Sequence, residues 1–322
     1  MQKFIQTANQ FGKQKTPFFF LIDFEQKNPL IYPLSEIQNS QIKFEFPHKK
    51  DHSHKAINKP FKINIEPINF QQYTKRFQFI QQQIQAGNSY LLNLTEKTKI
   101  NINYTLNELF LSSLAKYKCY LADQFVCFSP ECFIKIEDNK IYSYPMKGTI
   151  NADVQNAQQL LLNSQKEFTE HNTIIDLIRN DLALVANNIQ VTKYRYIEKI
   201  TTHRGAIYQT SSEICGTLDK TWQQNIGTIL AKLLPAGSIS GAPKLKTVEI
   251  IQQAEQQERG YYTGIFGYFD GNYLDSAVAI RYIEKQEETY FFRSGGGITA
   301  LSELNTEYNE ILEKIYVPLS TL

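Results

Sequence analysis

The sequence predicts an α+β fold: one large domain behind a short N-terminal extension. Amphipathic helical periodicity recurs at 70–86, 155–184 and 303–316. Strand-like runs follow one another at 262–270, 273–284 and 288–292 with the look of an antiparallel meander. From residue 70 onward no stretch has the composition of a linker. Residues 70–322 are therefore taken as the main domain, and 1–69 as an extension contributing strands to the same fold.

In chain order, 17–23 (Pro-Phe-Phe-Phe-Leu-Ile-Asp) is an apolar run of strand length. Residues 40–68 are polar, carry Pro47, Pro60 and Pro67, and are expected to form a connection. In 70–86, Tyr73, Phe77, Ile80 and Ile84 fall at helical spacing, and Gly87 ends that helix. Strands are expected at 89–94 and 98–102. A short amphipathic helix follows at 107–118, with Phe110, Leu111 and Leu114 on one side, and then strands at 125–128, 132–136 and 140–144. Residues 155–184 are helical with a break near 162–165. A strand at 189–196 leads to helices at 223–234 and 243–257, and the last helix is 303–316.

The 322 residues suffice to bury a sizeable core, and 42% hydrophobic with 20% charged residues is the balance of an ordinary soluble globular protein. Net charge is +2 and the longest basic run is His48-Lys49-Lys50, which argues against a nucleic-acid partner and for a solvated loop. Cys119, Cys127, Cys132 and Cys215 show no Cys-x-x-Cys spacing, so reduced cysteines are expected and a zinc site at Cys127 and Cys132 lacks further ligands. No apolar core follows a basic start at the N-terminus, and no run of about 18 apolar residues occurs, so no signal peptide or membrane span is expected and the cytoplasm is the default location.

The strongest local geometry lies in the last helix. Glu307, Glu310 and Lys314 fall at i, i+3 and i+7, which lines up two carboxylates and an ammonium on one face. A hard divalent cation such as magnesium takes a few carboxylate oxygens and keeps some waters. Alone, a solvated face with a Glu310–Lys314 ion pair explains the pattern better. Glu170 precedes the apolar run Ile174, Ile175, Leu177, Ile178 by one turn, at the edge of a buried stripe where a carboxylate needs a partner or a metal. The plainer alternative is an amphipathic helix ending in Arg179-Asn180-Asp181.

Residues 235–244 (Pro-Ala-Gly-Ser-Ile-Ser-Gly-Ala-Pro-Lys) open a helix, with Ser240 or Gly241 as cap and Pro243 in its first turn. The free N–H groups there favour an anion, although a plain helix-start loop has the same composition, and the Gly-x-x-x-x-Gly-Lys phosphate loop is absent. Arg293-Ser294 runs into Gly295, Gly296 and Gly297, bare backbone that suits either a close ligand or a tight bend. Lys147, in Tyr144-Pro145-Met146-Lys147-Gly148-Thr149, follows a strand and becomes a nucleophile if desolvation leaves it neutral. Glu131, in Ser129-Pro130-Glu131, becomes a general acid if burial raises its pKa. Taken singly, an exposed strand-end lysine is the simpler reading of Lys147.

Together and in this order, these segments resemble the chorismate-utilising enzyme family, which holds anthranilate, aminodeoxychorismate, isochorismate and salicylate synthases. The matching segments are 87–95, 129–131, 145–149, 166–181, 237–244, 259–264 (Arg-Gly-Tyr-Tyr-Thr-Gly), Ile280-Arg281, 295–297 and 307–314. The resemblance implies two large, packed, mostly antiparallel β-sheets with helices outside and the active site in the cleft between them. It implies Glu170, Glu307 and Glu310 as ligands of a magnesium ion that clamps the ring carboxylate of chorismate. Arg281, Tyr262 and the backbone of Gly295 and Gly297 would hold a substrate carboxylate, with contacts from Thr149, Ser238 and Lys314. Glu131 corresponds to the acid that protonates the hydroxyl leaving ring position 4. A dianionic substrate fits this set, because it needs a divalent metal, fixed cations and free backbone N–H groups.

The Pro-x-Lys-Gly-Thr form at Lys147 is similar to aminodeoxychorismate synthases, whereas anthranilate synthases carry alanine there. In the former, the lysine attacks ring carbon 2 as the hydroxyl leaves, and ammonia at carbon 4 then expels it. Isochorismate and salicylate synthases carry a lysine base at the place of Leu91, and leucine cannot take a proton from water. The resemblance thus implies a synthase of 4-amino-4-deoxychorismate in the 4-aminobenzoate and folate branch. The alternatives are anthranilate synthase component I, isochorismate or salicylate synthase, and a non-catalytic chorismate-binding subunit; the last is opposed by the three carboxylates retained beside Lys147 and Glu131.

Three departures from the family pattern stand out. Gln209 occupies the substrate-pocket position where the family usually has histidine, and glutamine hydrogen-bonds without carrying a proton. The N-terminal region is short beside many relatives, which use it for a tryptophan pocket. No Cys-His-Glu glutaminase pattern occurs, so ammonia is expected from a separate glutamine amidotransferase subunit or from solution.

Overall fold

Phe18–Ile22 is buried along its whole length, and its side chains divide by strand alternation. Phe19 and Leu21 enter the core between two sheets, while Phe18, Phe20 and Ile22 face a helical layer. Burial on both faces is why this strand is uniformly apolar. In the computed structural model, which describes residues 1–50, 57, 59–202 and 205–319, two nine-stranded sheets form, all strand pairs antiparallel.

The first sheet runs Met146–Asn151, Gly205–Thr217, Lys140–Ser143, Cys132–Glu137, Leu274–Val278, Ile265–Phe269, Phe18–Ile22 and Leu30–Pro33, with Asn187–Thr202 also on Gly205–Thr217. The second runs Gly241–Ala242, Leu91–Ile102, Thr289–Thr299, Tyr282–Gln286, Phe125–Ser129, Tyr117–Leu121, Ile42–Phe46 and Lys49–Lys50, with Ile63–Glu66 on Leu91–Ile102. Aromatic side chains bind the sheets face to face. Phe19 stacks on Phe44 at 4.6 Å, and Phe46 meets Tyr268 at 4.9 Å and Phe266 at 5.5 Å. Helices Gln2–Gln14, Gln165–Ala183 and Ile226–Leu233 pack outside the first sheet, and Phe70–Gln85, Lys244–Glu255 and Leu304–Glu313 outside the second. The fold is the expected α+β arrangement of two packed antiparallel sheets with outer helices.

Several elements differ from expectation. Residues 40–68 hold the strands Ile42–Phe46, Lys49–Lys50 and Ile63–Glu66 as well as connections, and Lys49 and Lys50 lie in an edge strand; residues 51–56 and 58 lie outside the described set. Helix Gln2–Gln14 was not foreseen: its side chains are mainly polar, and only Phe4, Ala8 and Gly12 are buried. The two strands expected at 89–102 are one, Leu91–Ile102. The helix expected at 107–118 is Leu106–Ser112, closed at its start by a Thr105–Glu108 capping box, and strand Tyr117–Leu121 begins before residue 118. Strand Thr289–Thr299 runs straight through Gly295–Gly297 in register with Asn93–Thr95, so the glycines make no tight bend. Residues 237–240 form a short helix of their own, and Pro243 is the N-cap of Lys244–Glu255, outside its first turn; the Ser240 hydroxyl donates to the Ala236 carbonyl and does not cap. All four cysteines are free and buried. No helix among the described residues is long and apolar enough to cross a membrane.

Candidate active site

The sheets and three helices border a cavity of about 580 Å³, and the thirteen residues that the resemblance places in the site all line it. Met146–Asn151 carries Lys147 and Thr149 to its wall, with a register shift between them at Gly148 (φ +74°). The positive φ favours glycine at 148; a Cβ there would stand 2.6 Å from a Glu167 carboxylate oxygen, the mobile end of a side chain that can give way. Lys147 reaches across to the second sheet: its Nζ lies 3.5 Å from the position a Cβ on Gly297 would take. The Thr210 hydroxyl donates to the Lys147 carbonyl and fixes the backbone beneath it. Gln209, opposite Thr149 in register, is buried with its Nε2 without a partner among the described residues.

Glu131 accepts a hydrogen bond from Ser238. Burial raises its carboxyl above the ordinary carboxylate range, against the Ser238 hydrogen bond and the charges of Lys147 and Arg281. That shift favours the protonated form a general acid needs. Tyr262 is buried and its hydroxyl is pushed up to about 12 by desolvation, with Arg259, Arg293 and Arg281 opposing the shift. The Arg281 guanidinium lies over the Tyr316 ring at 4.9 Å.

Glu307 and Glu310 converge over the glycine strand. A Cβ on Gly296 would stand 3.2 Å from Glu307 Oε2 and 3.7 Å from Glu310 Oε1. Glu307 is 3% exposed, and its Oε1 accepts from the Ser302 hydroxyl at 2.7 Å. Glu310 pairs with Lys314 at 2.6 Å, the ion pair expected from their spacing, and Lys314 also donates to the Gly295 carbonyl at 2.8 Å. Burial lowers the pKa of Lys314, with Glu310 opposing. The strand outruns its neighbour Tyr282–Gln286 after Arg293, so the edge bearing that carbonyl faces Lys314 instead of another strand. Glu170 approaches the cavity from Gln165–Ala183. Among the described residues no three His, Cys, Asp or Glu side chains gather closely enough to hold a metal ion, so Glu170 does not join the Glu307–Glu310 pair directly.

The chemistry of the lining still fits a hard dication. Six glutamates and only four Lys or Arg side chains surround the cavity. Magnesium binds through one or two carboxylates and keeps several waters, so the Glu307–Glu310 pair can hold it and Glu170 can act through a water.

Among the lining residues to which the sequence assigns no role are Glu167, Arg293 and Glu313. Glu167 lies three residues before Glu170 on the same helix face, a spacing that could have disclosed it. Arg293 adjoins the glycine run and is 4% exposed. His171 is buried with Nε2 at 2.7 Å from Ser212 Oγ, and burial lowers its pKa to about 4, so it is neutral at pH 7.

Comparison with known proteins agrees with this geometry. The chain is 56% identical to an uncharacterized PabA-like protein of Pasteurella multocida over 99% of both chains. It is 30% identical, over 76% of its length, to aminodeoxychorismate synthase component 1 of Escherichia coli, of which it spans 56%. In fold it is similar to the menaquinone-specific isochorismate synthase MenF of Escherichia coli, with a TM-score of 0.71 at 17% identity over 97% of this chain and 80% of that one. The family model described as chorismate binding enzyme matches residues 3–320, and the chain belongs to that family.

Proposed function

We propose that this protein is a magnesium-dependent aminodeoxychorismate synthase, component I, converting chorismate and ammonia to 4-amino-4-deoxychorismate and water. The observation that carries the reading is Lys147, which spans the cavity toward Gly297 in the same enclosure as the protonatable Glu131. In its neutral form the Lys147 amine forms a bond to ring carbon 2, the ring double bonds shift, and the hydroxyl on carbon 4 leaves with the proton of Glu131 as water. Ammonia then bonds to carbon 4, the double bonds shift back, and the bond to Lys147 breaks. The proton shed by ammonia restores Glu131. Glu307 and Glu310, with Glu170, would hold magnesium, which supplies positive charge for a substrate carboxylate. Leu91 lines the cavity near Gly297 and offers no base to activate water, which supports amination over hydration at the ring. Ammonia delivery by a separate glutamine amidotransferase, and a place in 4-aminobenzoate and folate synthesis, belong to the same proposal.

Product analysis tests it. The purified protein is incubated with chorismate, magnesium and ammonium, with or without a separate aminodeoxychorismate lyase. The expected result is 4-aminobenzoate only when the lyase is present. Anthranilate fluorescence without the lyase would overturn the assignment within the family.

A further inference from the structure

We infer that Arg293 is a further substrate-binding cation, taking the carboxylate of the substrate's enolpyruvyl side chain; this rests on the chorismate reading above. Arg293 is buried in strand Thr289–Thr299 opposite Tyr282, and it lines the cavity. A buried guanidinium needs its charge and its N–H groups answered. Its Nη2 meets Glu284 at 3.2 Å and the Glu258 carbonyl at 3.4 Å, but Nε and Nη1 have no partner among the described residues.

The surrounding charges leave an excess. Glu284 also serves Lys97 at 3.3 Å, so one carboxylate is shared by two cations. Of the neighbouring acids, Glu96 pairs with Arg76 through one oxygen and Glu255 with Arg259, so three carboxylates stand against the four cations Arg76, Lys97, Arg259 and Arg293, although the other oxygen of Glu96 has no partner among the described residues. One positive charge and the three N–H bonds of Nε and Nη1 therefore stand unanswered in a residue that borders the cavity. A carboxylate answers both, through charge-assisted hydrogen bonds.

The neighbourhood selects which carboxylate. The Arg293 guanidinium lies 6.0 Å from the Tyr262 ring, and Tyr262 sits in the field of Arg281 as well. Gly296, where Glu307 and Glu310 converge, is three residues along the strand from Arg293, on the opposite face and about 10 Å away. The carboxylate held at the Glu307–Glu310 end is thus a different group from the one within reach of Arg293 and Tyr262.

The test is a calorimetric titration of the full chain in magnesium with two ligands: chorismate, and its analogue with the side-chain carboxylate esterified. Wild type is compared with Arg293→Met and with Arg293→Gln, the latter serving if the Met variant does not fold; melting curves establish folding. The expected result is a loss of chorismate affinity of about 10- to 100-fold in the neutral variants, with the ester affected by less than about 3-fold. Equal losses for both ligands would mark Arg293 as merely structural and overturn the inference, as would unchanged chorismate affinity. A wild type that binds neither ligand would remove the chorismate reading itself, and this inference with it.

Discussion

Between the two sheets, the region around Phe46 and the region around Lys147 are filled by opposite chemistry. At Phe46, rings from both sheets interlock: Tyr117 of its own sheet at 5.5 Å, and Phe266 and Tyr268 of the other. At Lys147, the same sheets enclose a cavity of about 580 Å³ bordered by six glutamates and four cations. The aromatic region fills its space with its own side chains, although the Tyr117 hydroxyl there has no hydrogen-bond partner among the described residues. The charged region does not: Gln209, Arg281 and Arg293 each keep a buried nitrogen without a partner among the described residues. Dispersion and apolar burial close an interface unaided, whereas dispersed charge leaves groups that a ligand must satisfy.

The contrast predicts that changes in the two regions fall on different observables. Lys147→Ala is expected to lower product formation by more than about 10⁴-fold while chorismate affinity stays within about 3-fold. Single-turnover assays and titration check this, and a full-rate variant would end the covalent role. Phe46→Ala should cost about 3–5 kcal/mol of stability, measured by urea unfolding, with rate constants per folded molecule retained. A catalytic defect in that variant would show that the regions are coupled.

Glu131→Gln should slow turnover by about 10²–10³-fold. The sign of the pH effect follows from the direction of the shift. The Glu131 carboxyl is raised by burial, so its protonated, active form persists above the ordinary carboxylate range, and the rate falls as pH rises through the raised value. Glu131→Gln should abolish that limb of the kcat profile. The smallest effect belongs to Glu310→Gln, which should raise the magnesium concentration for half-activity by about 10-fold. Its Lys314 partner then loses its countercharge, so substrate affinity should shift modestly with it.

What the sequence disclosed follows the range of the interactions involved. Helix Phe70–Gln85 was legible because Tyr73, Phe77, Ile80 and Ile84 bury one face, a local pattern. The break between Ala157–Asn163 and Gln165–Ala183 was legible too, because Ser164 accepts from the Glu167 N–H as an N-cap. Ile42–Phe46 was missed although Ile-Lys-Phe-Glu-Phe alternates with a strand's period of two, because the segment sits in a polar, proline-bearing stretch; Glu45 there meets Lys118 across the sheet at 3.0 Å. The long hairpin Asn187–Thr202 and Gly205–Thr217 was half visible, because repeated register shifts break its period of two. For the site, motifs in one order brought thirteen residues to one cavity. Arg293 escaped because its burial and its sharing of Glu284 with Lys97 arise only when three strands pair.

Strand Phe18–Ile22 has a consequence for how the chain is made. One of its edges pairs with the nearby Leu30–Pro33, but the other pairs with Ile265–Phe269, about 240 residues later. At translation speeds of about 5–20 residues per second, that edge waits roughly 12–50 seconds for its partner. During that interval Phe-Phe-Phe-Leu-Ile, destined for complete burial, is presented by a growing polypeptide whose first sheet cannot close. The ribosome-bound chain should therefore engage holdase chaperones through this segment, and premature termination anywhere before residue 265 should yield an insoluble fragment instead of a smaller folded unit.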